Sequence, residues 1–344
     1  MKKRRVKKRS WYQIAGAVTI IVFGLIGIGI LALARPYITS RSQQYGVTFS
    51  QHQAKGLGLD WKETYQAILS DLGVKHLRLV AYWDIVEPRN DTFDFADLDY
   101  QMDQAALHDA QVILTIGRKV PRWPECFAPP WAASLSEKEQ QEEVLDMLAV
   151  VVQRYKAHPA LRMWQLENEP LLDFGICPPA DPTFLRQEEL LVRELDPDHL
   201  ILVTDSGELN WWIAVSDFGD GVGTTMYRTV FSQRTEQLFH YDYIFPAWMY
   251  RLKSRYIKLL RDKEVIIVEL QGEPWGAKPF PDMTAADRDD SFSLARFKEL
   301  LQFAQRTQLS EAYWWGVEYW YWEKSIHNRP QYWEMGKSIF DAAP

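Results

Sequence analysis

The sequence predicts an α/β protein, a (β/α)8 TIM barrel preceded by an N-terminal transmembrane helix. Three observations predict this fold. Short apolar runs alternate with amphipathic segments of helical length eight times between residues 45 and 340. The continuous apolar character of these runs is typical of parallel strands that are buried on both faces. A separate, uncharged stretch at residues 14–34 comes before them.

The first 35 residues differ in charge from the rest of the chain. They hold eight of the 39 basic residues and no acidic one, which leaves 31 basic against 46 acidic residues, a charge of −15, beyond them. A body this acidic would repel a phosphate backbone, so we expect no nucleic acid as a partner. The basic run therefore belongs with the apolar stretch that follows it.

Residues 14–34 contain one polar side chain, Thr19. As a helix they reach about 32 Å, and a hydrocarbon core is about 30 Å thick. Because the basic residues come first, we predict a cytoplasmic tail at 1–13, a signal-anchor at 14–34, a spacer at 35–44 and an extracytoplasmic domain at 45–344. The small-x-small sequence Ala32-Leu33-Ala34 keeps one alternative open, secretion after cleavage near Ala34.

The strands and helices follow from periodicity. Strands are predicted at 45–49, 76–81, 112–116, 161–166, 200–204, 223–227, 265–268 and 312–317. Helices are predicted at 61–72, 98–108, 136–156, 184–195, 247–262, 291–308 and 332–340, with a weaker one near 210–218. Eight units in about 300 residues fit one barrel without a second domain. A doubly wound sheet is the alternative, but it requires a Gly-rich first turn that this chain lacks.

Acidic side chains follow the fourth and seventh strands. The fourth strand leads into Asn168-Glu169-Pro170, and the seventh apolar run ends at Glu269. Active sites of such barrels lie at the carboxyl ends of the strands, so both carboxylates would reach the same mouth. Cleavage of a glycosidic bond requires two facing carboxylic groups, one to protonate the leaving oxygen and one to support the anomeric centre.

At this point the sequence resembles the retaining glycoside hydrolases of the large (β/α)8 superfamily known as clan A, which includes β-galactosidase-like and cellulase-like enzymes. The resemblance covers about residues 45–340. It implies that Glu169 is the general acid/base and Glu269 the nucleophile. The segment from Leu77 through Glu87-Pro88 to Asp99 is also similar to the second-strand region of β-galactosidase-type members.

Further roles are implied around this pair. Arg78 lies among apolar neighbours, and a buried charge requires a partner, for which we expect Glu269. Tyr227 matches the family tyrosine whose hydroxyl contacts the nucleophile. Asn168 would hydrogen-bond a sugar 2-hydroxyl. On the eighth strand we choose Trp315 over Trp314 as the platform under the sugar ring.

Other polar or aromatic residues at the predicted rim are weaker candidates for substrate binding. Glu273 is the rival of Glu269 for the nucleophile, and Glu167 is the rival of Glu169 for the acid/base. The remaining candidates are the side chains His52, Arg118, Lys119, Trp123, Asp205 and Glu208.

The two cysteines, Cys126 and Cys177, fall on the loops after the third and fourth strands. Because these loops neighbour each other at the same face, we predict a disulfide in an exported protein. The seven histidines are scattered without metal-ligand spacing, so the sequence predicts neither a metal nor another cofactor.

The sequence therefore predicts a membrane-anchored, extracytoplasmic retaining β-glycosidase that acts on a β-linked oligo- or polysaccharide. Galactosides, glucosides, mannosides and xylosides are all substrates of enzymes built on this framework. Two alternatives remain open, a transglycosylase that uses the same site and a non-catalytic barrel that binds surface polysaccharide through its tryptophans.

Overall fold

The computed structural model describes residues 3–35, 42–232, 234–242 and 244–341. Most of the predicted spacer, residues 36–41, lies outside this range, as do residues 1, 2 and 342–344 at the ends of the predicted tail and domain. The described chain begins with one long helix, Lys3–Ala34.

Within this helix, Trp11–Ala32 is a 22-residue segment with a mean hydropathy of 2.6, and none of its most apolar stretch is buried against the protein. The segment is long and apolar enough to cross a membrane. A signal sequence near an N-terminus has the same properties, so the helix alone fits both the anchor and the cleaved alternative.

Eight parallel strands close into a barrel in which each strand pairs with its sequence neighbour and the first pairs with the last. This confirms the predicted fold class. The barrel strands, numbered first to eighth, are Gln44–Thr48, His76–Val80, Gln111–Ile116, Leu161–Leu166, Leu200–Asp205, Gly221–Met226, Glu264–Gln271 and Glu311–Trp315.

The helices surround the barrel and mostly follow the predicted order. Beyond the N-terminal helix they are Gln51–Gly56, Trp61–Ser70, Trp83–Val86, Ala96–Leu107, Glu137–Tyr155, Pro182–Leu195, Ala247–Arg261, Ala285–Ser291, Leu294–Thr307, Val317–Ser325 and Gln331–Asp341. Several of their starts are capped by side chains, as in the Ser136–Glu139 capping box, where each residue's side chain accepts from the other's backbone N–H.

The structure corrects several predicted elements. The weak helix near 210–218 is only a 3-10 turn, Val215–Asp217, and the helix predicted at 291–308 begins at Leu294. The predicted eighth strand ends at Trp315, and a helix starts at Val317. An antiparallel hairpin, Thr229–Ser232 with Gln237–His240, follows the sixth strand and was not predicted.

The barrel interior is filled by inward side chains from the third, fourth, fifth, seventh and eighth strands, namely Ile113, Met163, Leu202, Ile266, Val268 and Tyr313. A larger apolar layer lies between the strands and the helices. The barrel is therefore a solid core, and the chemistry is confined to its mouth.

The seventh strand contains a β-bulge that sets the direction of Glu269. Ile267 pairs with Thr224 and Glu269 pairs with the next residue, Thr225, so Val268 is an extra residue in the ladder. Ile266 and Val268 face the interior, and strict alternation would turn Glu269 outward. The bulge instead places Val268 and Glu269 on the same side, and Leu270 packs outward.

Candidate active site

Glu169 and Glu269 both lie at the mouth formed by the carboxyl ends of the strands, and both are buried. Glu169 follows the fourth strand, whereas Glu269 lies within the seventh, two residues before its end. The sequence analysis had placed Glu269 at the end of its strand. The structure therefore brings the two predicted acids together, although their catalytic roles stay predictions.

Arg78 on the second strand connects the residues around Glu269. Its Nη1 donates to Glu269 Oε1 at 2.8 Å, its Nη2 to Asn168 Oδ1 at 2.7 Å and its Nε to Gln165 Oε1 at 2.7 Å. Arg78 is fully buried. Because three acceptors hold the guanidinium, its orientation is fixed, and its hydrogen bond to Glu269 is charge-assisted.

Tyr227 contacts the second oxygen of Glu269. Its hydroxyl donates to Glu269 Oε2 at 2.7 Å, and its ring packs edge-on against Trp275. Burial and then the neighbouring Glu269 charge raise the pKa of Tyr227 well above its ordinary value, so its hydroxyl stays protonated as a donor. Glu269 thus has one charged donor and one neutral donor.

Within the part of the chain that the structure describes, the Glu169 carboxyl forms no ion pair. Its Oε1 accepts from Thr225 Oγ1 at 3.2 Å, and its backbone N–H donates to Thr204 Oγ1. Its φ of 45° is in the left-handed region, which a non-glycine residue adopts at a cost of order 1–3 kcal/mol. Such strained positions cluster at functional sites.

Burial raises the pKa of Glu169 well above its ordinary value, and the negative charges of Glu269 and then Glu125 raise it further. Glu269 forms an ion pair with Arg78, whereas the surroundings of Glu169 favour its neutral form. Two carboxyl groups with environments this different fit an acid and a nucleophile.

Glu125 is a third buried carboxyl group, which the sequence analysis missed. It accepts from Asn168 Nδ2 at 3.0 Å. Burial raises the pKa of Glu125 to about 8; the Asn168 hydrogen bond, the next largest effect, opposes this rise, and the charge of Glu269 adds to it. The only sequence signal was that Glu125 precedes a cysteine predicted to be in a disulfide.

Asn168 lies between Arg78 and Glu125, and its two hydrogen bonds fix the orientation of the amide group. Oδ1 faces the arginine and one Nδ2 hydrogen faces the carboxyl. The second Nδ2 hydrogen remains available to donate to a sugar hydroxyl.

The two adjacent tryptophans of the eighth strand face opposite sides. Trp314 is fully buried and packs edge-on against Phe297 in the outer layer. Trp315 reaches the mouth, where its Nε1 donates to Glu273 Oε1 at 2.8 Å. The guanidinium of Arg122 lies 3.8 Å above the Trp315 ring, so part of the indole surface is already covered.

The two rival acids have structural contacts. Glu167 accepts backbone N–H bonds from Arg118 at 2.9 Å and Lys119 at 2.8 Å, and so holds the loop after the third strand. Glu273 forms an ion pair with Arg122 at 2.5 Å. Both rival carboxylates therefore bond partners other than Arg78 and Glu269.

Three of the remaining rim candidates, His52, Trp123 and Arg118, contact other residues of the loops and helices. His52 contacts Asp84 at 3.2 Å and stacks on Phe127, and Trp123 is 66% exposed beside Phe174. Arg118 pairs with Glu137 on the outer side.

Lys119, Asp205 and Glu208 are buried and support loops around the mouth. Lys119 Nζ donates to the backbone oxygen of Glu169 at 3.0 Å, and Asp205 accepts from Asn210. Glu208 accepts from the Tyr227 backbone N–H at 3.1 Å. Burial raises the pKa of Glu208 to about 7.

Cys126 and Cys177 form a disulfide with their Cα atoms 5.4 Å apart. The bond links the loops after the third and fourth strands, next to Glu125. Within the described ranges 3–35, 42–232, 234–242 and 244–341, no group of three or more His, Cys, Asp or Glu side chains is placed to hold a metal ion.

Sequence reasoning also missed Arg122, Gln165 and Thr225. Gln165 and Thr225 are polar residues inside otherwise apolar strands, and this could have marked them as inward-facing site residues. Arg122 lies on an irregular loop with a φ of 94°, for which no periodic signal exists.

The barrel and the two acids at its mouth are the features that the (β/α)8 glycoside hydrolases share. The model of glycoside hydrolase family 42, described as Beta-galactosidase, matches residues 58–187. Beta-galactosidase BgaB of a Geobacillus species is 27% identical over 114 residues, which cover 28% of this chain and 17% of that relative. The chain therefore matches a small part of this relative's length.

Solved structures show the same barrel. A variant of GH5_18 from Bifidobacterium longum subsp. longum, in complex with Manβ1-4GlcNAc, has a TM-score of 0.59 at 14% identity and covers 88% of this chain and 79% of its own. Native xylanase 10B from Thermotoga maritima has a TM-score of 0.53 at 14% identity, with coverage of 91% and 98%. Together with the family match, this fold confirms the predicted resemblance to the clan A glycoside hydrolases.

Proposed function

We propose that the chain is a retaining β-glycosidase in which Glu269 is the nucleophile and Glu169 the general acid/base. The observation that carries the proposal is the asymmetry between the two acids. Glu269 is held by hydrogen bonds from the Arg78 guanidinium and the Tyr227 hydroxyl, one to each carboxylate oxygen. Glu169 is buried near negative charge without such a partner, which favours the protonated acid.

In the first step, an oxygen of Glu269 attacks the anomeric carbon of a β-linked sugar. The bond from that carbon to the leaving oxygen breaks, and the oxygen takes the proton of Glu169. The electron pair of the broken bond goes to the leaving oxygen. The new bond leaves the sugar attached to Glu269 as an ester. Because Glu269 is no longer an anion in this ester, it is a weaker hydrogen-bond acceptor for Arg78 and Tyr227.

In the second step, the ionised Glu169 removes a proton from water. The water oxygen attacks the anomeric carbon, and the ester bond to Glu269 breaks, which restores both acids. Asn168 would donate its remaining amide hydrogen to the sugar 2-hydroxyl in both steps. Trp315 would contact the sugar ring with the indole surface that Arg122 leaves uncovered.

The substrate class we propose is a β-linked sugar. This agrees with the matched family, described as Beta-galactosidase, and with the structural relative whose complex contains Manβ1-4GlcNAc. We further propose that residues 14–34 anchor the enzyme, with residues 1–13 in the cytoplasm and the barrel outside.

The catalytic proposal is tested with the full chain in detergent against a panel of aryl β-glycosides. Glu269→Gln should abolish turnover and keep sugar binding, whereas Glu299→Gln, on the exposed part of an outer helix, should change neither. A wild-type chain that binds sugar without any turnover would instead be a binding module. The first anomer released, observed by NMR, should be β, and an α product would contradict retention.

The anchor is tested by the mass of the protein recovered from membranes of the expressing cell and by protease treatment of intact cells. An uncleaved chain whose barrel is degraded from outside supports the proposal. A shorter chain that begins after Ala34 would contradict the anchor and support the secreted alternative.

A further inference from the structure

The helix Ala247–Arg261, which follows the sixth strand, differs in charge from the rest of the barrel domain. It contains five basic residues and no acidic one. The chain beyond residue 35, by contrast, has 31 basic against 46 acidic residues, a net charge of −15. A basic helix in an otherwise acidic domain is the part of the surface to which an anionic partner is attracted.

The side of this helix that points away from the barrel combines basic and apolar residues. We call it the outer face and define it by five residues at helical spacing, namely Trp248, Arg251, Arg255, Lys258 and Leu259. Tyr250 and Ile257 lie on the opposite, buried side of the helix. Trp248 is 42% exposed and Leu259 is 74% exposed, so an apolar side chain meets solvent on each side of the arginines. Basic residues together with Trp and Leu are typical of helices that lie at a membrane surface.

The N-terminal helix Lys3–Ala34 contacts the helix that carries the outer face. Arg255 Nη1 donates to the backbone oxygen of Ala32 at 3.2 Å, and Ala32 is the last residue of the apolar segment Trp11–Ala32. In the proposed anchor this end of the segment leaves the hydrocarbon core on the outer side, where the lipid headgroups begin. The contact therefore holds Arg255 at the level of the headgroups.

A groove beside the outer face offers hydrogen-bond donors to a phosphate group. It lies between the helices Ala247–Arg261 and Leu294–Thr307, and its lining includes Trp248, Arg251, Gln302, Gln305 and Arg306. Arg251 Nη1 donates to the backbone oxygen of Arg306, which directs its guanidinium along the groove. Guanidinium groups are the side chains best suited to bind phosphate oxygens.

Arg251 and Arg255 are close enough for their positive charges to interact. Burial and then the charge of Arg255 lower the pKa of Arg251 from its ordinary value. An anion bound beside both guanidinium groups relieves this repulsion. Because Arg255 lies at the anchor and Arg251 lies in the groove, we assign the contacts with an anionic partner to these two residues.

We propose that the outer face binds the anionic phospholipid headgroups that surround the anchor. The helices of such a barrel run alongside its strands, so docking through one helix places the barrel on its side. Its mouth would then be directed along the membrane surface, toward glycans that lie close to the membrane. This inference rests on the anchor proposed above and adds to it the orientation of the catalytic domain.

The full chain in lipid vesicles tests the inference. Both cysteines of the chain form the disulfide, so Leu259→Cys introduces one thiol that can carry a fluorophore. Leu107→Cys is the matched control, because Leu107 is also 74% exposed and ends the helix after the second strand, four units around the barrel from the outer face. The vesicles contain a nitroxide quencher attached to lipid headgroups, in phosphatidylcholine alone or with about one third phosphatidylglycerol. We expect at least about 2-fold quenching at position 259 in the anionic vesicles and none at position 107.

A charge variant tests the two arginines. Arg251→Gln with Arg255→Gln should reduce the quenching at position 259 in anionic vesicles to its value in phosphatidylcholine, because the attraction to anionic headgroups is lost. Turnover of a soluble aryl glycoside should stay at the wild-type value. The control, Arg89→Gln with Arg154→Gln, removes the same charge from exposed positions near the helices after the second and third strands and should leave the quenching unchanged.

Flotation of the vesicles distinguishes failure of the inference from failure of the anchor. A chain that floats with the vesicles but shows no quenching at position 259 would overturn the inference and leave the anchor standing. A chain that does not float would overturn both. Equal quenching in neutral and anionic vesicles, or in the wild type and the Arg251–Arg255 double variant, would contradict the assignment to anionic headgroups. A label at position 259 that responds to protein concentration instead of lipid would assign the outer face to a second copy of the chain and overturn the inference.

Discussion

Arg78 Nη1 donates to Glu269 Oε1 at 2.8 Å, and the two side chains are 0% and 4% exposed. The pair joins the second strand to the seventh across the barrel mouth. A buried ion pair of this kind contributes little net stability, but removing one partner leaves an uncompensated charge that costs about 3–5 kcal/mol. The pair therefore serves mainly to fix the position and charge of Glu269.

The first prediction concerns the geometry of Arg78. Arg78→Lys keeps the positive charge but cannot contact Gln165, Asn168 and Glu269 at the same time. We expect kcat/KM to fall roughly 100-fold, equivalent to about 2.7 kcal/mol of transition-state stabilisation. Steady-state kinetics check this, with Arg154→Lys at an exposed ion pair as the control. Unchanged kinetics in Arg78→Lys would show that the three contacts are not used.

The second prediction concerns the hydroxyl of Tyr227. Tyr227→Phe keeps the ring contact with Trp275 and removes only the donor to Glu269. A hydrogen bond to a charged group contributes about 1.5–3 kcal/mol, so we expect kcat to fall about 10- to 100-fold. Tyr65→Phe, which removes a buried hydroxyl bonded to Gln101 elsewhere, should keep kcat at the wild-type value. Equal losses of kcat in both variants would argue against a role at the nucleophile.

The third prediction concerns pH. Glu169 must be protonated in the first step, so kcat/KM is present below its raised pKa and is lost as the pH rises through that pKa. Glu125, whose own pKa is about 8, is negatively charged in the alkaline range and there raises the pKa of Glu169, so Glu125→Gln should move the alkaline limb to lower pH. Thr225→Val removes a hydrogen bond that favours the ionised form, so the limb should move to higher pH.

The opposite directions make this prediction specific. Both variants are compared with the wild type in the same buffers, and the melting temperature is followed at each pH. Two shifts in the same direction, or no shift in either, would contradict the assignment of Glu169 as the acid.

The fourth prediction concerns the disulfide, which connects residues 51 apart. Cys126→Ala with Cys177→Ala should lower the free energy of unfolding by about 2–4 kcal/mol, because the unfolded chain is no longer constrained. Denaturant unfolding of the full chain measures this, and the reduced wild type should show a similar loss. Thiol titration of the unreduced, exported protein should find no free thiol, and two free thiols would rule out the bond.

Much of the fold could be predicted because each barrel strand is a continuous apolar run, buried on both faces, whose period and length appear in the sequence. The starts of the helices were also readable, since Asp60, Ser136 and Asp181 cap them locally. The segments that were predicted incorrectly lack such a signal. The hairpin after the sixth strand is attached to the barrel by Gln271, and the helix Val317–Ser325 by the Glu318 contacts with Arg122 and Ser50, residues distant in sequence.

The sequence by itself determined the order of strands and helices, and therefore the mouth at which Glu169 and Glu269 meet. Only the tertiary structure decided the direction of Glu269, because the bulge at Val268 depends on pairing with neighbouring strands. It also decided that Glu125 and Arg122 join the site. Both lie on an irregular loop whose position is set by a disulfide and by ion pairs to residues up to 196 positions away, which local periodicity does not encode.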